Sequence, residues 1–191
     1  MELRLVAARP AEVAADALRR RERAAWDALV AHQHGRLYNL LLRLTGDREL
    51  AADLTQETFV AAYKSAHTYA GRSGPQAWLC GVALNCYRNH RRRHGGRRLP
   101  DEIGDDLPDP APTPEQLAQL REQAGLVREA VGRLPEAYER AVALYYFAGL
   151  TSAQIADEEG VADGTVRWRL HQAVRKLWFM LQPHIGKEEP V

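Results

Sequence analysis

The sequence predicts an all-α protein built as two small helical domains joined by a proline-rich, acidic linker. Three observations carry this expectation. Apolar residues recur at helical spacing on both sides of the chain's middle, and no stretch shows the apolar–polar alternation of a strand. Between His94 and Gln116 fall Pro100, Pro108, Pro110, Pro112 and Pro114, with Gly95, Gly96 and Gly104 and almost no large apolar residue. Prolines at that density break a helix and remove the donors a strand ladder needs. The expected division is an N-terminal extension over 1–21, a first domain over 22–94, a linker over 95–121, a second domain over 122–182 and a tail over 183–191. An ordered surface loop within one domain is the alternative for the middle segment, although structureless loops of that length are uncommon in compact domains.

Ala11 to Thr45 reads as one helix, with Trp26, Leu29, Val30, Leu37, Leu40, Leu41 and Leu44 at helical spacing. Gly46 is a good stop, and Asp47 suits the cap of a second helix running through Leu50, Leu54 and Val60 towards Tyr69. Ala70 to Gly74 is a turn, and Pro75 fits the first position of a third helix to Arg93, with Leu79, Val82, Ala83 and Cys86 on its inner side. Beyond the linker, Gln116 to Arg133 and Pro135 to Ala148 read as helices, followed by two shorter elements.

The composition excludes several classes. Lys and Arg number 26 against 25 Asp and Glu, a formal net charge of +1 that says nothing about partners on its own. No run approaches the roughly 18 consecutive apolar residues of a membrane span, and residues 1–10 lack the order of a signal peptide, so a cytoplasmic chain without membrane insertion is expected. Cys80 and Cys86, the only cysteines, would lie roughly 9 Å apart along a helix axis, too far to bridge. No metal site is expected, because the seven histidines show no ligand spacing with thiols or carboxylates. No cofactor motif and no catalytic motif occurs either, so an enzyme is not expected.

Residues Thr151 to Leu177 carry the sharpest local pattern. Thr151 and Gln154 form a capping box, Ala156 is small where a second helix must cross, and Gly160 sits at a turn. Asp163 is placed to cap the next helix, with Val166, Leu170, Val174 and Leu177 as its buried stripe. This is a helix-turn-helix signature. Pinning that stripe inward turns Thr165, Trp168, His171, Gln172 and Arg175 outward, flanked by Arg167 and Arg169. Amides, arginines and a hydroxyl on one face are the groups that reach base edges and phosphates. For Trp168 the open readings are packing on a sugar–phosphate wall or a thymine methyl, docking on a protein, and a partly buried flank.

In the first half, Asp53, Gln56 and Glu57 share one face of the second helix, an acidic and solvated one on its own terms. The third helix brings Asn85, Arg88 and Arg92 together and leads into Arg91–Arg93, Arg97 and Arg98. Such a cluster is an electrostatic footprint for nucleic acid, or else a solubilising cationic face.

Taken together, Asp53-Leu-Thr-Gln-Glu-Thr-Phe59, Ala77-Trp-Leu-Cys-Gly-Val-Ala-Leu-Asn85 with Arg91–Arg93, and Leu134-Pro-Glu-Ala-Tyr-Glu-Arg140 with Gly149 to Leu177 resemble a known family. It is the extracytoplasmic-function (ECF) group of sigma factors of the sigma-70 class. The resemblance covers roughly 26–93 and 127–177, with its motifs in family order. It implies a promoter-specificity subunit of bacterial RNA polymerase rather than an enzyme, with promoter DNA as its second partner. Core contact with the β′ coiled coil would fall to Asp53, Gln56, Glu57 and Phe59. The −10 element and a flipped base would be held by Tyr69, Arg72, Asn85, Arg88, Asn89 and Arg92, near the 68–74 loop. The second domain would face the β flap and insert Thr165, Arg167, Trp168, Arg169, His171, Gln172 and Arg175 at the −35 element. The resemblance also implies an anti-sigma factor as partner. A stand-alone helix-turn-helix regulator is the alternative function, but it leaves the first half without a role.

Four positions depart from the family pattern: Asn89 where an acid is usual, Gln154 where a glutamate is usual, Trp168 where a small residue is common, and Gln172 where an arginine is. The near-zero net charge conceals segregation. Arg88 to Arg98 holds six arginines and no acid, whereas Asp101 to Glu115 holds six acids and no base.

Overall fold

The computed structural model describes residues 10–94 and 113–185, and every regular element among them is helical. The acidic stretch Asp101–Asp109, Arg97, Arg98 and the last residues of the tail lie outside the described residues. The first half comprises α1 (Pro10–Arg19), α2 (Arg23–Thr45), α3 (Arg48–Lys64), a 3₁₀ turn (Ala66–Thr68) and α4 (Pro75–Arg93). The second comprises α5 (Pro114–Gly132), α6 (Glu136–Val142) running into a π-helical turn (Ala143–Phe147), α7 (Ser152–Glu159) and α8 (Asp163–Ile185).

The first long helix expected from the sequence is two helices. Periodicity continues across Arg20–Glu22, but Arg21 takes φ 59°, a left-handed conformation that ends α1. The compensation lies across the domain. The Arg21 guanidinium donates to the carbonyls of Tyr63 (3.2 Å) and Lys64 (3.1 Å) at the end of α3, and sits 5.2 Å from the Tyr63 ring centroid. A cation here satisfies carbonyls that the end of α3 leaves without helical partners. The break folds α1 back, burying Ala15 and Leu18, and the Trp26 indole donates to the Leu18 carbonyl at 3.0 Å. Ala15 and Leu18, which fall in the segment read from sequence as an extension, therefore belong to the core of the first half.

The next boundaries follow local chemistry. Gly46 takes φ 68° and its N–H closes on the Leu42 carbonyl, while the Asp47 carboxylate accepts from the Leu50 N–H at 2.9 Å. α3 stops at Lys64 rather than continuing to Tyr69. Its buried Thr55 and Thr58 hydroxyls each donate to the carbonyl four residues back at 2.7 Å, so neither is left unsatisfied. Packing of α2, α3 and α4 buries Leu37, Leu40, Leu41, Leu54, Leu79 and Leu84 completely. On α4, Leu79, Ala83 and Cys86 face inward as expected, whereas Val82 is half-buried.

The second half departs from the sequence reading in three places. α5 begins at Pro114, two residues before the expected start at Gln116, where Thr113 and Gln116 form a capping box (3.3 and 2.8 Å), so the helix takes in 114–121 of the segment placed in the linker. α8 is a long element of 23 residues and runs past Pro183, the expected start of the tail. Asp163 does not cap it. It is the first helical residue, and its carboxylate pairs with Arg167 at 3.1 Å.

The buried stripe of α8 is Val166, Leu170 and Ala173, continued by the half-buried Leu177; Val174, expected inside, is 36% exposed. The period explains the exchange. Seven residues on from Val166 the helix has turned to within about 20° of its starting direction, whereas eight residues on it has overshot by about 80°. One apolar cluster is continuous through both halves, joining Leu40, Leu79 and Leu84 to Leu144, Leu150 and Ile155.

Two outcomes are expected from this packing. Burial pushes the Cys80 thiol up to about 12 from 9.0, with Glu158 adding to the rise and Arg36 opposing it; burial also raises Cys86. Neither thiol should react with iodoacetamide at about pH 8 until the chain is unfolded, since the thiolate is the nucleophile. Above pH 9 the unfolded chain ionises Cys80 and the folded chain does not, so stability falls with rising alkalinity there. Gly46→Ala should lose about 1–2 kcal/mol in urea titration, because a side chain is strained at that φ. An added Cβ would also come within 2.8 Å of the Arg128 guanidinium.

Candidate nucleic-acid and partner-binding surfaces

On α3, Asp53, Gln56 and Glu57 are exposed together, because Leu54, Thr55 and Thr58 occupy the buried side of the same turns. Phe59 differs from them. It is half-buried and stacks on the His34 ring (centroids 6.3 Å apart, planes 5° apart), which ties α3 to α2.

The basic end of α4 meets the second half of the chain. Arg88 pairs with Glu136 and, at 3.3 Å, with Glu139; Arg91 donates to the other Glu139 oxygen at 2.6 Å. Glu139 is only 2% exposed. A buried carboxylate needs such partners, since leaving water unpaired costs several kcal/mol. The Arg88 contact holds the exposed Glu136 carboxyl below its ordinary range, first by hydrogen bonding and then by charge. Asn85 accepts from Arg140 at 3.4 Å, and Asn89 accepts from Arg92, which otherwise faces solvent.

Beside this face lies the loop between the 3₁₀ turn and α4. Tyr69, expected at a DNA surface, is 2% exposed, stacks on Trp78 (4.9 Å) and donates its hydroxyl to the Ser73 carbonyl at 2.9 Å. Burial raises its pKa, with Glu158 adding to the rise and Arg19 opposing it. It is a strut beneath the loop. Arg72 is exposed and, with Ser73 and Trp78, lines a small cleft closed on the far side by Asp157 and Glu158 of α7.

The Ser73 hydroxyl donates to Glu158, whose carboxyl burial pushes up while Ser73, Arg140 and Arg72 oppose the rise. On the other side α1 supports the loop. Gly71 takes φ 70°, and a Cβ there would fall 2.9 Å from that of Ala15. Sequence alone offered no signal for this brace, because Ala15 is an ordinary small residue in a helical run.

In the second half, Thr151 and Gln154 close the expected capping box (3.2 and 2.9 Å), and Gly160 takes φ 67° with its N–H on the Ala156 carbonyl. These two features set α7 against α8 in the helix-turn-helix arrangement. On α8, Arg167, His171 and Arg175 are exposed, and Thr165 and Gln172 are half-buried at the rim. Trp168 is 55% exposed and edge-on to Tyr138 (6.0 Å), so its indole is anchored on one side and open on the other.

Arg169 points back. It pairs with Glu159, whose second oxygen receives Arg140 Nε at 3.0 Å. That arginine ties α8 to α7 instead of projecting outward with its neighbours. Among the described residues no group of three His, Cys, Asp or Glu is placed to hold a metal ion, and no helix is long and apolar enough to cross a membrane.

Comparison with known proteins returns two family models: sigma-70 region 2 over residues 29–97, and sigma-70 region 4 over 124–177. The chain is 36% identical over 151 residues to the ECF RNA polymerase sigma factor SigL of Mycobacterium tuberculosis, covering 76% of this chain and 82% of that one. It is 34% identical to SigE of Mycolicibacterium smegmatis over 83% of this chain and 62% of that longer protein. The RNA polymerase sigma-H factor of Pseudomonas aeruginosa is 30% identical, covering 87% and 91%. Among solved structures, CnrH in complex with the cytosolic domain of CnrY superposes with a TM-score of 0.62 at 20% identity, covering 90% of this chain and 97% of that one. The sigma factor RpoE of Bartonella quintana, solved with the anti-sigma factor NepR, gives 0.54 at 18%, covering 83% and 97%.

The ion pairs within the helix-turn-helix separate structure from surface. Glu159→Gln should lower stability in urea titration by about 2–3 kcal/mol, because two half-buried arginines lose their charged partner. Arg175→Ala, on the exposed face, should shift it by no more than about 0.5 kcal/mol.

Proposed function

The chain belongs to the extracytoplasmic-function sigma factors of the sigma-70 class, RNA polymerase sigma factors in transcription initiation, and from that premise we propose how its surfaces divide the work. α3 docks on the β′ coiled coil of core polymerase through Asp53, Gln56 and Glu57, with Phe59 holding that helix in place from below. Exposed acids beside a fully packed underside make a surface that binds a basic partner without rearranging its own core. The basic face of α4, with Asn85, Arg88, Asn89 and Arg92, takes the backbone and edges of the −10 element. The 68–74 loop, with Arg72, receives an unstacked base; Tyr69 supports that loop from beneath.

The α8 face enters the major groove at the −35 element. Thr165, Arg167, Trp168, His171, Gln172 and Arg175 are its readers and phosphate contacts, and Arg169 belongs to the support instead. The opposite side of the second domain meets the β flap. The acidic middle segment threads towards the active-site cleft, a nucleic-acid channel in which its charge favours displacement by RNA.

The observation that carries this reading is the occurrence, in order in one chain, of region 2 and region 4, each with an exposed polar helix face over a packed core. The sigma subunit performs no catalysis of its own; it positions DNA for the polymerase, in the cytoplasm. An anti-sigma factor is the expected regulatory partner, supported by the complex of RpoE with the anti-sigma factor NepR.

In vitro transcription with core polymerase, with and without this chain, on a promoter library tests the reading. Selective start sites with shared −35 and −10 elements are expected; no selection, or no co-purification with core enzyme, refutes it. Glu57→Arg should weaken core binding with an unchanged melting temperature. Arg175→Ala should lower the slope of log affinity against log salt by about one unit on every promoter if it contacts a phosphate. An effect confined to one base position would make it a base reader.

A further inference from the structure

Four arginines and one glutamate fill positions 19–23, and all five residues are exposed. Contacts at both sides hold this row in place. Arg21 adopts φ 59° and donates to the Tyr63 and Lys64 carbonyls, which fastens the end of α1 against the end of α3. Four residues before Arg19 on the same face of α1, Ala15 meets the 68–74 loop at Gly71, where an added Cβ would fall 2.9 Å from its own. α1 also packs on the 3₁₀ turn that leads into this loop, and the Arg19 charge reaches the Tyr69 hydroxyl. A residue other than glycine held at positive φ is strained, and such strain gathers at functional sites. What this one achieves is a row of cations set beside the loop.

We infer that Arg19, Arg20 and Arg23 form a phosphate-binding rim along the 68–74 loop, holding the sugar–phosphate backbone of the single strand whose base the loop receives. The inference rests on the reading of that loop as the receiver of an unstacked base. A base drawn out of its stack brings its phosphates to the mouth of the site, and between Thr68 and Gly74 only Arg72 carries a positive charge. Backbone contacts position a strand without reading it, so cations flanking the loop supply what it lacks. The three arginines are available for this. Arg19 pairs with Asp16 at 2.6 Å, Arg20 with Glu22 at 3.1 Å and Arg23 with Asp27 at 3.7 Å, and each of these carboxylates is more than half exposed. Exposed pairs of this kind contribute little to stability, and phosphate oxygens fit the guanidinium fork as a carboxylate does. Arg21 is no part of the rim, because its guanidinium is committed to the α3 carbonyls.

The test uses holoenzyme assembled from the full chain and core polymerase, with a fluorescein-labelled promoter recovered from the library and premelted over its −10 element. Anisotropy across a salt series gives the affinity and its slope against log salt. Each phosphate neutralised on a single strand contributes about 0.7 to that slope. Arg19→Gln with Arg20→Gln should therefore lower it by about 1.4 units, and adding Arg23→Gln by about 2.1, with an unchanged melting temperature of the chain. Arg19→Lys with Arg20→Lys keeps the charge and should keep the slope. A fully paired fragment carrying the −35 element alone should respond to none of these variants, because it brings no single strand to the loop.

Arg121→Gln with Arg133→Gln removes two charges from exposed positions on and just beyond α5 and should leave the slope alone. An equal fall in that pair makes the effect one of net charge and overturns the rim. Weaker assembly of the Arg19→Gln, Arg20→Gln chain with core polymerase, read by titration without DNA, makes the patch a protein contact and overturns it too. Arg72→Ala separates the rim from the reading beneath it. If Arg72→Ala weakens binding to the premelted promoter and the Arg19 and Arg20 pair does not, the base-receiving loop stands and the rim is overturned. If Arg72→Ala changes nothing, the base-receiving loop is overturned, and the rim with it.

Discussion

Glu139 is a carboxylate almost wholly removed from water, with Arg88 against one oxygen and Arg91 against the other. Taking that charge out of solvent would be costly in isolation, and the two guanidinium groups offset the cost only while α4 and α6 stay side by side. The pairing therefore acts as a constraint on the whole arrangement. It fixes how the second half approaches the first, brings Glu158 over the 68–74 loop, and lets Leu144 and Ile155 join the core begun by Leu40 and Leu79. Neither half alone would bury this carboxylate with its partners. Of the two arginines, Arg88 is the one that the family resemblance assigns to the −10 element.

Within each half the organisation is set by short-range chemistry. Gly46 and Gly160 both adopt left-handed conformations that end one helix and aim the next. Capping boxes at Thr113 and Thr151 satisfy the first amides of α5 and α7. Glu159 then joins α6, through Arg140, to α8, through Arg169, which fixes α8 relative to α6 and α7. Rigid support of this kind is what lets Arg167, His171 and Arg175 face outward from a defined position rather than from a mobile loop.

The all-α class, the turn at Gly160, the cap at Asp47 and the exposed acids of α3 were all legible in the sequence, because each depends on residues within one or two turns of one another. The misses have a common character. Arg21 breaks the first helix for the sake of carbonyls at Tyr63 and Lys64, more than forty positions away. Val174 gives way to Ala173 because the stripe is judged by a small angular difference that only packing resolves. Tyr69 looked like a surface aromatic and is a buried strut. Arg169 looked like one of a set of exposed cations and is held by Glu159, ten residues earlier.

By itself, then, the sequence determined which segments are helices, where most of them stop, and which family's motifs the chain carries in order. These are matters of local propensity, capping and spacing, and they need no knowledge of what lies opposite. Tertiary structure alone decided which charged groups are free. Arg88, Arg91, Arg92 and Arg93 read alike along the chain, yet the first two are locked onto Glu139 while the last two face solvent. Burial and pairing depend on what the fold places against a side chain, and for α4 that is a glutamate 48 residues further along the chain from Arg91.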